Sequence, residues 1–152
     1  FENDPEYSDK AKLFSTMVQD ISEFLVENRD KLTFGELKIK VAYDDPCHLV
    51  HAQKISAQPR LLLDNIPGLE LVPLRESEMC CGSAGTFNVT QPDLSEKVLL
   101  RKMENIAASG AEAVATGNIG CMIQLKRARE LTGVDLIARS LRNGTKPSKS
   151  SQ

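Results

Sequence analysis

The chain has 152 residues, 41% of them hydrophobic and 26% charged, with a formal net charge of −2. That length and balance suit one globular domain with a sizeable core better than two. There is no basic block to attract nucleic acid or an anionic membrane, no apolar run near the roughly 20 residues that span a bilayer, and no secretory signal after the initial Phe1, so the chain reads as a piece of a longer protein.

Residues 1–7 are polar. From Ser8, the expected N-cap, Phe14, Met17, Val18, Ile21, Phe24 and Leu25 recur at helical spacing and predict one amphipathic helix whose stripe packs into a core. Leu37 to Tyr43 alternates and contains β-formers, which predicts a strand. Pro46 cannot continue a central strand, so the strand ends before it. Residues 51–65 predict a helix, with Ile55, Leu61 and Leu62 among its apolar positions and a kink at Pro59. Residues 65–68 predict a turn, and 69–74 a second strand. A loop is expected from Arg75 to Gln91. Pro92 then suits the first turn of a helix through Leu94, Val98, Leu99, Met103 and Ile106, stopped by Gly110. Residues 111–116 are short and apolar, as a buried parallel strand should be. Gly117 to Gly120 predicts a tight turn, and Cys121 opens a helix ending at Gly133. Residues 134–138 predict a fourth strand or a last short helix, and the Ser/Lys-rich tail is expected to be disordered.

Alternating strands and helices predict an α/β fold: three layers, about four mostly parallel strands, helices on both faces. The expected organisation is an N-terminal segment, 1–36, whose helix packs on the domain, then the domain at 37–141 and a tail at 142–152.

The chemistry is expected in the four cysteines, Cys47, Cys80, Cys81 and Cys121. A chain of this size folds without disulfide staples, and adjacent Cys80–Cys81 suit ligation better than a cross-link. Each cysteine follows a predicted strand. In a parallel sheet those strand ends share one edge, where open α/β sheets bind ligands. Four thiols at one rim therefore predict a metal or cluster site. Helix N-termini behind Cys121 and Cys47 would favour thiolate there. Gly82, Gly85, Gly117 and Gly120 would let the backbone approach a bulky inorganic core and offer N–H groups to sulfur. His48 is expected to orient a neighbour rather than to ligate, and His51 has no assigned role. Asp44-Asp45 is explained as well by a turn before Pro46 as by acid–base chemistry.

The strings Asp45-Pro46-Cys47-His48-Leu49, Gln58-Pro59-Arg60, Cys80-Cys81-Gly82-Ser83-Ala84-Gly85-Thr86-Phe87 and Asn118-Ile119-Gly120-Cys121 resemble the CCG, or cysteine-rich, domain. That domain occurs in heterodisulfide reductases, lactate-utilisation proteins and glycolate oxidase iron–sulfur subunits. The similarity covers roughly residues 37–141 and is greatest to the C-terminal domain of the last group. The resemblance implies an electron-transfer domain, not itself catalytic, that holds an iron–sulfur cluster, [4Fe–4S], on Cys47, Cys80, Cys81 and Cys121, with His48, Gly82, Gly85, Gly120 and Gln124 around the ligands. It implies a flavin-containing oxidase subunit as partner, together with the rest of the parent iron–sulfur subunit, for oxidation of glycolate to glyoxylate. The implied location is cytoplasmic, with peripheral association at the inner membrane face as an alternative. The family motif ends Cys-x-x-Cys, whereas here Gln124 follows Cys121. Gln is a poor ligand for a soft metal, which puts a five-cysteine cluster in doubt and leaves a four-thiolate one. The competing readings are a structural zinc or apo interaction module, and thiol–disulfide catalysis, which ranks low without a Cys-x-x-Cys.

Overall fold

A computed structural model describes residues 1–132 and 137–138. It forms two compact units, Phe1–Leu32 and a second beginning at Thr33. The expected helix end at Gly133 and the expected disordered tail lie outside the described residues.

In the first unit the predicted long helix is two. Helix α1 spans Ser8–Met17 and α2 spans Ile21–Glu27. The break has a local cause. The Asp20 side chain accepts from the Ser22 N–H while Glu23 reaches back to the Asp20 N–H, a capping box that starts a new helix. Ser8 is not the cap of α1. The Asp4 carboxylate instead accepts from the N–H groups of Glu6 and Tyr7, at 2.9 and 2.8 Å. Phe14, Met17, Val18, Ile21 and Phe24 are all at least 50% exposed. The stripe is divided between two short helices, and α1 buries no residue.

The second unit is built on a parallel sheet. Strand β1 is Ile39–Asp44, β2 Leu69–Val72, β3 Ala113–Thr116 and β4 the two residues Ile137–Ala138. Their order is β2-β1-β3-β4, with β1 paired in parallel to both β2 and β3. The chain therefore leaves β1 to one side and returns on the other. The β1/β3 seam is the topological switch point, outside whose carboxyl ends such sheets bind ligands.

Helix α3 is Ala57–Asp64, α4 Phe87–Thr90, α5 Pro92–Ala108 and α6 Ile119–Thr132. Successive residues of a strand face opposite sides, and β3 shows this directly. Val114 packs with Leu99, Met103 and Ile106 of α5 and Leu125 and Ala128 of α6. Ala113 and Ala115 pack with Val41, Tyr43 and Leu63, the last from α3. Helices thus cover both faces of the sheet.

The helix predicted at 51–65 is divided. A π-helical turn, His48–Gln53, ends where Lys54 adopts a left-handed backbone, and α3 begins after Ser56. Pro59 does not kink α3, because it falls in the first turn, where no intrahelical N–H bond is lost. The expected loop 75–91 contains α4. Pro92 does begin α5, and Gly110 with φ +69° follows its end. Leu94, expected on the apolar stripe of α5, is 50% exposed.

Candidate metal centre at the sheet rim

All four cysteines lie beyond the carboxyl ends of strands in the second unit. Cys47 precedes the π-turn after β1, Cys80 and Cys81 sit between β2 and α4, and Cys121 lies in the first turn of α6 after β3. Helix α6 starts at Ile119, slightly earlier than predicted, because Asn118 caps it: its Oδ1 accepts from the Cys121 N–H at 3.0 Å.

Two of the four sulfurs meet directly. Cys81 and Cys121 Sγ stand 3.0 Å apart, both thiols free and buried. Cys47 lies near enough to Cys80 and Cys121 to oppose ionisation of both. Cys47 and Cys80 are half-buried, so the group has an inner and an outer pair. The Cys81–Cys121 hydrogen bond divides the inner pair. That bond, helped by the Ser83 N–H, brings Cys81 down to about 7, against the burial that opposes ionisation. That same bond, then burial, pushes the Cys121 thiol well up. Burial also raises Cys80, partly offset by the Gly82 N–H, which donates to its sulfur at 3.3 Å.

The Cys80–Cys81–Gly82 turn is held from beneath. Gly82 has φ +87°, and a Cβ there would meet the Ser95 carbonyl oxygen at 2.6 Å. The Ser95 hydroxyl donates to the Gly82 carbonyl at 2.8 Å and accepts from Gln124 Nε2 at 3.0 Å. Gln124, 2% exposed, is therefore a buried brace from α6 to the cysteine turn. Gly120 permits a second close approach. A Cβ there would lie 3.0 Å from Asn118 Oδ1 and 3.1 Å from Ser83 Oγ. At Gly85 a Cβ would meet nothing within 4 Å, and its φ of +63° serves the turn itself. His48 is exposed, with Nδ1 3.4 Å from Asn118 Nδ2. His51 is exposed and offers only its carbonyl, to Lys54.

The acidic pair does more than turn the chain. Asp44 is 1% exposed and ion-paired to the fully buried Lys102 of α5, while its Oδ2 accepts from Thr116 at 3.0 Å. Both charges reach Cys81, Asp44 opposing its ionisation and Lys102 favouring it. Asp45 is bound by Arg60 through two bonds of 2.5 Å. Burial pushes the Asp45 carboxyl up, but the Arg60 and Ser77 hydrogen bonds with the Arg60 charge bring it below the usual carboxylate range. Lys102, Thr116 and Ser95 were not candidates from sequence. The available signal was a lysine between Leu99, Met103 and Ile106, on the apolar stripe of α5.

The cysteine-rich domain model named CCG matches residues 41–126. The chain belongs to the CCG cysteine-rich domain family. Over 138 residues it is 36% identical to a probable glycolate oxidase iron–sulfur subunit of Bacillus subtilis (strain 168), covering 87% of this chain and 30% of that protein. Over 127 residues it is 38% identical to the glycolate oxidase iron–sulfur subunit of Escherichia coli (strain K12), covering 83% of this chain and 31% of that protein. It is also 32% identical over 134 residues to lactate utilization protein A of Shouchella clausii (strain KSM-K16), covering 88% of this chain and 56% of that protein. The chain thus spans about a third to about half the length of these relatives.

The donor set fits an iron–sulfur centre. It is all thiol, it lies against oriented N–H groups of Gly82 and Ser83, and half of it is buried. Among the described residues no group of three or more His, Cys, Asp or Glu side chains is arranged to hold a single metal ion. No helix among the described residues is long and apolar enough to cross a membrane.

Proposed function

We propose that this domain binds an iron–sulfur cluster, [4Fe–4S], through Cys47, Cys80, Cys81 and Cys121, and passes electrons within a larger hydroxy-acid-oxidising complex. The observation that carries this reading is four free thiols beyond the carboxyl ends of parallel strands, two of them buried with their sulfurs 3.0 Å apart. The names of the relatives support it. Glycolate, oxidised to glyoxylate by a flavin-containing partner subunit, is the proposed substrate, with electrons leaving towards a quinone-linked acceptor; two relatives carry the name of glycolate oxidase iron–sulfur subunits.

Such a centre supplies one-electron storage and release. The chain's own residues supply the rest. The four thiols give up their protons on binding, and Cys81 is the readiest of the inner pair to do so. Gly82 and Ser83 N–H groups stabilise the resulting thiolates. The buried Cys81–Cys121 side keeps water away, while the half-buried Cys47–Cys80 side leaves the centre near the surface for electron exchange. Gln124 stays with Ser95 as a brace and is not a ligand.

Metal and sulfide analysis of protein purified without oxygen tests the reading. Iron and acid-labile sulfide in equal amounts, with broad visible absorption, are expected. Stoichiometric zinc without sulfide would instead favour a structural module.

A further inference from the structure

Lys102 is fully buried in the middle of α5, flanked by core residues Leu99, Met103 and Ile106. Removing an ammonium and a carboxylate from water carries a large desolvation penalty, and an apolar pair of similar volume is often as stable or more so. The placement of this pair is therefore informative. Asp44 is the last residue of β1, the strand leading to Cys47. Its other oxygen holds Thr116, the last residue of β3, the strand leading to Cys121. Lys102 Nζ also donates to the Ser77 carbonyl at 2.8 Å, on the segment leading to Cys80 and Cys81. The Asp45 N–H donates to that same carbonyl at 3.1 Å. The Lys102–Asp44 pair thus joins the three segments that bear the sulfurs, the third through the Asp44 carboxylate.

A neighbouring ion pair shows what is special here. Arg101, also on α5, pairs with Glu76 of the same segment, and Asn105 donates to Glu76 at 2.8 Å. Arg101 is 61% exposed, so that pair grips the segment from solvent and touches neither strand end. It holds the segment to α5 alone.

We propose that Lys102 is a positioning residue for the metal–sulfur centre, locking the Cys80–Cys81 segment to the ends of β1 and β3. This inference rests on the iron–sulfur reading above. Outer partners of metal ligands commonly change metal retention by about 10- to 100-fold when removed.

The test uses Lys102→Met together with Asp44→Asn, which removes both charges and leaves no unpaired buried ion. Wild type, this double variant and Arg101→Ala are reconstituted with iron and sulfide without oxygen and challenged with an iron chelator. The double variant should keep the wild-type far-UV circular dichroism, lose iron about tenfold faster, and show a changed electron paramagnetic resonance spectrum when reduced. Arg101→Ala should match wild type in all three. A folded double variant with wild-type iron retention and spectrum overturns the proposal. Should the double variant not fold, Thr116→Val is used, which removes only the hydroxyl bond to Asp44. It should show the same changes in smaller measure, and identity with wild type overturns the proposal. Failure of wild type to take up iron is seen before any variant is compared. It overturns the iron–sulfur reading and this inference with it.

Discussion

The two halves of the sulfur group differ in depth, and the difference separates what holds a centre from what exposes it. Cys81 and Cys121 are 2% and 6% exposed, and their surroundings reach back into the core through Ser95, Gln124 and the Lys102–Asp44 pair. Cys47 and Cys80 are half-buried on short connections, with one backbone N–H, that of Gly82, donating to Cys80. The inner pair is fixed by packing. The outer pair is fixed by local backbone and open to exchange with solvent.

The largest expected effect breaks the inner pair. Cys81→Ser or Cys121→Ser should abolish iron binding while far-UV circular dichroism is unchanged, and added thiol should not restore it. Cys47→Ser or Cys80→Ser should also release iron, but added small thiol should recover part of it, because those positions admit an outside ligand. Iron counting on each variant, with and without thiol, checks the contrast. Equal rescue at all four positions would erase it.

Gly82→Ala strikes the turn between the two pairs. Its positive φ and the 2.6 Å approach to the Ser95 carbonyl should destabilise the fold by about 2–4 kcal/mol in urea unfolding. Arg60→Ala acts further from the sulfurs. It strips the cation from Asp45, whose side chain is 4% exposed, and should cost about 1–2 kcal/mol at neutral pH. The Asp45 carboxyl is lowered in the folded state, so its contribution is present above its unfolded value and fades as pH falls through the folded one. The gap between wild type and Arg60→Ala should therefore narrow below about pH 4. Gln124→Ala is the mildest, about 1 kcal/mol with iron retained, since it removes a brace and not a ligand.

What could be read from the sequence followed from short-range rules. Strands β1, β2 and β3, the start of α5 at Pro92 and the placement of each cysteine after a strand all rest on local patterning. That all four cysteines lie at one edge of the sheet then follows from parallel pairing. The misses have equally physical causes. The break between α1 and α2 depended on reading Asp20 and Glu23 as a reciprocal cap within an apolar stripe that otherwise runs through it. Pro59 reads as a kink only if the helix begins before it, and the left-handed Lys54 moves that beginning. Lys102 reads as surface by residue type, because a buried lysine needs a partner, and here the partner lies 58 positions away. Ser95 and Gln124 show their purpose only once α5 and α6 lie beside the cysteine turn.

Iron X-ray absorption of protein reconstituted without oxygen tests the central claim most directly, because it reports both the neighbours of iron and the nuclearity of the centre. Four thiols serving one cluster predict sulfur-only coordination at about 2.3 Å, a clear iron–iron contribution and about four irons per chain. Nitrogen or oxygen neighbours without iron–iron scattering, or a chain that takes up no iron at all, would contradict it.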